Sequence, residues 1–186
     1  VESRIRLEKE LLEMPGQIHN QIDLIEYCKQ DLAFYTEWRK INPPVEDSKL
    51  KKEEAEKRKT LRELIGTAIR EHVLETKEKT LTSYRGFDIV LPANMTLEKP
   101  YVWLKKSGKY YVELGDTDIG NLIRIDNYLD SLGDHLSKLT LNLEKLREKE
   151  KDIRFELSKG ESYINQIETY KNKVKNLDKK LGVYKK

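Results

Sequence analysis

Between Asp118 and Leu157 the chain carries a ladder of apolar residues that suits one long helix. Leu122, Ile125, Leu129, Leu132, Leu136, Leu139, Leu143, Leu146, Ile153 and Leu157 follow steps of three and four, with Glu150 the one interruption. That spacing draws a single seam along a helix, and the seam is stabilising only when other helices bury it. Every other segment is then a partner for this helix or a cap at its head.

The partners are visible upstream. Ile5, Leu7, Leu11 and Leu12 suggest a short first helix, broken at Met14-Pro15-Gly16. Proline fits the first turn of a helix, where a missing N–H costs nothing, so a new helix is expected from Pro15. It carries Ile18, Ile22, Ile25, Leu32 and Tyr35 on one side, with Cys28 beside them. It should stop before Pro43-Pro44, because proline pushes its predecessor out of the α region. The charged run Lys49–Lys59 interleaves acids and bases at helical spacing, with Asp47 or Ser48 as its cap. Leu61, Leu64, Ile65, Ala68 and Ile69 give that helix a packing face, and Gly66 within it marks a close helix–helix approach.

From Thr80 the period falls to two. Phe87, Ile89 and Leu91 alternate with Asp88 and Val90; Tyr101–Leu104 and Tyr110–Leu114 follow, joined through Ser107-Gly108. Three antiparallel strands are expected over 83–114, with a hairpin turn at Ser107-Gly108. Gly115–Asp118 ends the sheet, with Gly115 suited to a positive φ, and caps the ladder helix. The ladder is expected to break over Asp152–Glu156 and restart at a capping box of Ser158 and Glu161. The alternative is one unbroken helix, since Ile153 and Leu157 stay in register. The last helix carries Tyr163, Ile167, Tyr170, Val174, Leu177 and Leu181 and ends near Gly182.

The expected fold is therefore mainly α, of the α+β kind. It is an elongated antiparallel helical bundle, or coiled-coil hairpin, with a small three-stranded antiparallel sheet inserted at one end. Its parts are helices over 1–79, the β insert over 80–116, and the ladder and C-terminal helices over 117–186, all in one structural domain. A chain of 186 residues suits such a domain with a modest core. Charged and hydrophobic residues each make up 37%, which with a regular seam implies solvated helices rather than disorder. The seam can be covered within one chain, so a monomer is expected.

Charge and cysteine usage bound the function. Lys and Arg number 36 against 33 Asp and Glu, a net +3 that does not by itself argue for nucleic acid. The lone Cys28 excludes an internal disulfide framework and fits a reducing, cytoplasmic setting. Neither a signal peptide nor a membrane span is read. The chain opens at Val1 directly in helical sequence and reads as a fragment of a longer polypeptide.

Catalytic patterns are not found. His19, His72 and His135 stand at no metal-ligand spacing, and Cys28 has no base near it in sequence. Phosphate loops, nucleophile elbows and dinucleotide glycine patterns are lacking, so no enzyme activity, cofactor or metal is expected. Two basic clusters remain. One is Lys105, Lys106 and Lys109 at the hairpin, joined by Arg85 and Arg124; the other is Lys171, Lys173, Lys175, Lys179, Lys180, Lys185 and Lys186. Lysine clusters can neutralise phosphates, and Tyr101, Trp103, Tyr110 and Tyr111 could stack on single-stranded bases. The competing reading is a polar hairpin tip, aromatic residues in a small core, and a solvated helix end.

Three blocks carry a resemblance: Tyr84, Gly86 and Phe87; Val112, Leu114 and Gly115; and Gly120, Asn121, Arg124, Ile125, Asp126, Asn127 and Leu129. Together they resemble the C-terminal region of very large proteins of plasmids, phages and conjugative elements of Gram-positive bacteria. Those proteins join an adenine-specific DNA methylase-like part to a Swi/Snf-type helicase part. Phe155 occupies the place of a tail phenylalanine, with Arg154 where proline is usual, and 43–59 departs as a charged helix in place of a strand pair. The resemblance implies a non-catalytic accessory domain of an ATP-binding parent, with the rest of that parent and DNA as partners and no membrane. It would brace the catalytic parts or engage DNA backbone through Arg85, Lys105, Lys106, Lys109 and Arg124. The rival from another class is a coiled-coil module that dimerises through the leucine seam without touching DNA. Arg124 stands out, because a cation in the first turns of a helix is unfavourable unless it meets an acid or an external anion.

Overall fold

The computed structural model describes residues 2–180, less the side chains of residues 161–163 and 178. It is mainly helical with one small antiparallel sheet. In chain order the elements are α1 (Glu2–Ile41), α2 (Lys52–Glu71), β1 (Lys79–Tyr84), β2 (Phe87–Leu91), β3 (Tyr101–Lys105), β4 (Lys109–Glu113), α3 (Asp118–Asp130) and α4 (Leu132–Lys180). A single 3-10 turn, Asp47–Lys49, precedes α2. Leu181, Gly182, Lys185 and Lys186 of the expected last helix and basic tail lie outside the described residues, as do the side chains of Glu161 and Tyr163.

The sheet has four strands rather than three, in the order β1-β2-β3-β4. What reads as one alternating run from Ser83 is two strands folded back at Arg85-Gly86. Tyr84 pairs with Phe87, and the two turn residues take φ of 50° and 85°. Positive φ at both central residues is the two-residue hairpin geometry whose twist matches the strands. An arginine in the first of these positions hides the signal, since Asn or Asp is the usual occupant. Gly86 is required twice over: a Cβ there would also collide with the Phe34 ring. Gly115 has no positive φ; its amide and carbonyl instead pair with the side-chain amide of the buried Asn121, at 2.6 and 3.2 Å.

The helical breaks also differ from expectation. α1 runs through Pro15 without interruption. An interior proline costs about 3 kcal/mol, and here it sits beside Met14, which is 1% exposed. α4 runs through 152–161, because nothing between Gly133 and Gly160 stops it and Ile153 stays buried in the seam. Ser158 and Glu161 are therefore inside a helix, not at a cap. The break in the ladder falls earlier, at Ser131, between the buried Leu129 and Leu132. The start of the ladder is capped by Thr117, whose Oγ1 accepts from the Gly120 amide at 3.1 Å.

The chain divides into two compact units, Asp23–Thr140 and Val1–Ile22 with Leu141–Lys186. In the first, the inner face of the sheet (Phe87, Ile89, Leu91, Val102, Leu104, Tyr110 and Val112) meets buried residues of all four helices. These are Cys28 and Tyr35, Ile65 and Ile69, Leu122, Ile125 and Leu129, and Leu132. Leu136 and Leu139 pack on this core only partly buried. Gly66 does mark a close approach: a Cβ there would run into the Asp118 carboxylate at the start of α3. In the second unit the two helical segments run antiparallel, with Glu10 3.9 Å from Lys149 and Arg4 against Gly160. Among the described residues, no helix is long and apolar enough to cross a membrane.

Candidate nucleic-acid interface

Alternation along β3 and β4 divides the hairpin between two faces. Val102, Leu104, Tyr110 and Val112 point into the core, and Tyr101, Trp103, Lys105, Lys109, Tyr111 and Glu113 point out. Trp103 lies opposite Tyr111, Tyr101 opposite Glu113, and Lys105 opposite Lys109. Three aromatic rings therefore cluster on the outer face. Tyr101 and Tyr111 have centroids 4.7 Å apart and planes inclined by 37°; Trp103 stands 5.8 Å from each, close to perpendicular. Tyr111 is 43% exposed, and Tyr101 and Trp103 are half-buried. Tyr110 does not belong with them: it is a core residue.

The lysine pair adjoins the rings. Like charges directly opposite on neighbouring strands cost stability, so Lys105 facing Lys109 does nothing for the sheet. Asp88, opposite Lys105 on β2, offsets part of that cost. Lys109 Nζ lies 4.6 Å from the Trp103 centroid and 2.5 Å from Glu78 Oε1. That pair is at the surface, where a carboxylate exchanges readily for another anion. Lys105 is exposed.

The other basic residues of the sequence cluster go elsewhere. Lys106 is half-buried on the α1 side of the hairpin, with Nζ 3.7 Å from the Phe34 centroid and 3.5 Å from the Gly86 carbonyl. Arg85 is an internal cation. It reaches Asp126 at 3.2 Å, donates to the Tyr35 hydroxyl at 2.9 Å, and lies over the rings of Trp38 and Tyr84. Arg124 is exposed beside Gly115, in an open groove of about 470 Å³ along β4 with Glu113, Tyr128, His135 and Lys138. Burial, then the neighbouring Lys138, lowers the His135 pKa and favours its neutral form. Of the tail cluster, Lys171, Lys173, Lys175, Lys179 and Lys180 lie exposed on α4.

A larger opening, about 740 Å³, is lined by Trp38, Arg39, Ile41, Arg58, Arg85, Asp126 and Asp130 among others. Of its three aspartates, Asp47 is mostly exposed, and Asp126 and Asp130 are already engaged. Asp126 accepts from Arg58 at 2.9 Å and from the hydroxyl of Tyr84, besides pairing with Arg85. Asp130 accepts from Arg39 at 3.1 and 2.9 Å and from Tyr35 at 2.5 Å. Burial opposes ionisation of Asp130, yet the hydrogen bonds from Arg39 and Tyr35 hold its carboxyl below the usual range. Burial, then these carboxylates, pushes the Tyr35 and Tyr84 hydroxyls up to about 12. The arrangement clamps elements together and leaves neither Asp126 nor Asp130 free as a base.

One residue that matters to the interface has no counterpart in the sequence reading. Asp31 of α1 is fully buried and accepts from the amides of Ser107 and Gly108, at 3.0 and 2.8 Å, and from Tyr110 at 2.5 Å. Consecutive backbone N–H groups in a turn form a cradle for an anion, and here the chain's own carboxylate fills it. Burial, then the Asp31 hydrogen bond, raises the Tyr110 pKa, and burial raises the Cys28 thiol. The available signal was a charged residue on the apolar stripe of Cys28, Leu32 and Tyr35. Among the described residues no group of His, Cys, Asp and Glu has a metal-binding arrangement. His72 is buried, with Nε2 3.0 Å from the Pro92 carbonyl. Compared with protein-family models, with characterised proteins and with solved structures, the chain gives no match.

Proposed function

We propose that this chain is a non-catalytic accessory domain of a helicase/methylase-type parent, and that it holds nucleic-acid backbone on the outer face of its sheet. The observation that carries the reading is the Lys105–Lys109 pair, set against its own strand neighbours beside three outward aromatic rings. The resemblance of the Tyr84–Phe87, Val112–Gly115 and Gly120–Leu129 blocks supplies the context of the parent. Arg124, in the groove beside the edge strand β4, is a second contact for the same backbone. Arg85 and Lys106 serve the fold instead.

The test is fluorescence anisotropy with labelled single- and double-stranded oligonucleotides at low and moderate salt. Binding should be weak, indifferent to sequence and salt-dependent. Two phosphate contacts give a slope of roughly 1.4–1.8 in log affinity against log salt. Lys105→Glu with Lys109→Glu should abolish binding, and changing the tail lysines should do less. Absence of binding to either form at low salt would overturn the reading.

A second reading has its own support. The antiparallel segments of α1 and α4 are proposed as a coiled-coil hairpin, and Ile164, Tyr170, Val174 and Leu177 of α4 are 38–69% exposed. A structural dimerisation module would use that seam. A monomer is expected; a tight dimer at micromolar concentration by sedimentation would favour the module.

A further inference from the structure

We infer that the ligand of the outer sheet face is single-stranded nucleic acid, gripped by stacking of unpaired bases on Tyr111 among its ring neighbours. The inference rests on the backbone-binding reading and adds the form of the ligand. Lysines alone would not discriminate, since phosphates are offered by single and double strands alike. The rings do discriminate. In a duplex the faces of the bases are stacked on one another, whereas an unpaired base offers its face to an aromatic side chain.

The layout along β4 gives the site a direction. Glu113, Tyr111 and Lys109 follow one another on the outer face, about 7 Å apart per step. Glu113 repels phosphate at one end, and Lys109 with Lys105 attracts it at the other. A base seated on Tyr111 therefore has its phosphate directed toward the lysine pair, within the reach of one nucleotide. Trp103 serves as a wall rather than a seat: it stands at 72° to Tyr111, and Lys109 covers its ring. Tyr101, 4.7 Å from Tyr111 between centroids and inclined by 37°, lies against one face of that ring and backs it, so the base seats on the other face. An apolar protein partner would not need the opposed lysines, which is why a polyanion with flat faces fits this surface better.

Anisotropy titrations of the whole chain against oligothymidine, oligoadenine and a duplex of equal length, about ten nucleotides, test the inference. The single strands should bind roughly ten-fold tighter than the duplex, with quenching of tryptophan emission. Tyr111→Leu keeps the apolar area but removes the ring; it should weaken single-strand binding roughly ten-fold and leave duplex binding unchanged. Tyr111→Phe should restore the preference. Lys105→Glu with Lys109→Glu should abolish binding of both forms. Equal affinity for single strand and duplex, or an equal effect of Tyr111→Leu on both, would overturn the stacking inference while the backbone reading stood. No binding to any oligonucleotide would overturn the backbone reading itself.

Discussion

Asp126→Ala should be among the most damaging single changes in the Asp23–Thr140 unit. The Asp126 side chain is 15% exposed and ties three elements together: Arg58 on α2, Tyr84 and Arg85 at the β1–β2 turn, and α3 itself. Each contact between a guanidinium and a carboxylate contributes about 1.5–3 kcal/mol and the tyrosine hydroxyl about 1 kcal/mol, so the gross loss is about 4–7 kcal/mol. Two things reduce it. Arg85 keeps the Tyr35 hydroxyl as an acceptor, and Arg58, 19% exposed, recovers some water. Arg58 also keeps the Tyr84 hydroxyl at 3.2 Å and the exposed Asp47 at 3.9 Å, although its Nε is buried without a hydrogen bond. About 3 kcal/mol should remain, the low end of what removing one partner of a buried ion pair costs. For a chain of this size that is a fall in Tm of about 6–12 °C. Urea and thermal unfolding by circular dichroism would measure it, with Asp126→Asn as the milder control. Adding Arg58→Met to Asp126→Ala should recover part of the loss, since it removes the stranded cation. A loss below about 1 kcal/mol would show that the network does not join these elements.

Leu129→Ala should cost about 2–5 kcal/mol, because Leu129 is 1% exposed, whereas Leu136→Ala should cost less than half as much; equal losses in urea would contradict the placement of the core. Gly86→Ala should cost about 1–3 kcal/mol from positive φ and the collision with Phe34, and a neutral result in the same assay would mean that the turn can re-form. Tyr35, Tyr84 and Tyr128 have folded pKa values near 12 against 10.0 unfolded, so the stability they contribute is complete below pH 10 and is lost as pH rises toward 12. Phenolate absorbance for these tyrosines should thus appear together with the loss of helical signal, and all ten tyrosines titrating before any unfolding would refute it.

The helical content and the strand-rich middle were legible because periodicity survives any tertiary arrangement. Leu122, Ile125 and Leu129 keep their spacing whatever they pack against, and all three are buried. The breaks were not legible, because local signals compete with packing. Pro15 is a strong helix breaker by propensity, yet α1 passes through it; Ser131 is a weak one, yet the ladder divides there. The extra strand was missed because Arg85 occupies a turn position that Asn or Asp usually takes, and it stays there on the strength of Asp126, Tyr35 and Trp38. The basic cluster was legible as composition but not as a surface. Sequence spacing puts Lys105 and Lys106 together, but Lys105 ends β3 on the outer face and Lys106, in the turn, lies over Phe34 of α1.

That separation follows from how α1 serves the sheet. The β1–β2 and β3–β4 turns lie at the same end of the sheet, and one short stretch of α1 engages both. Asp31 holds the Ser107 and Gly108 amides, Phe34 packs on Gly86 and under Lys106, and Tyr35 takes a hydrogen bond from Arg85. Two of the five cations suspected from sequence are thereby consumed in fixing the hairpins, and their loss would be read as loss of fold. Lys105 and Tyr111 contribute little to that scaffold, while the scaffold determines where they stand. Side chains that the core does not require, on strands that the core holds rigid, are the ones whose chemistry remains available to a ligand. Charge reversal at Lys105 and at Arg85 should therefore separate cleanly, the first acting on binding and the second on stability.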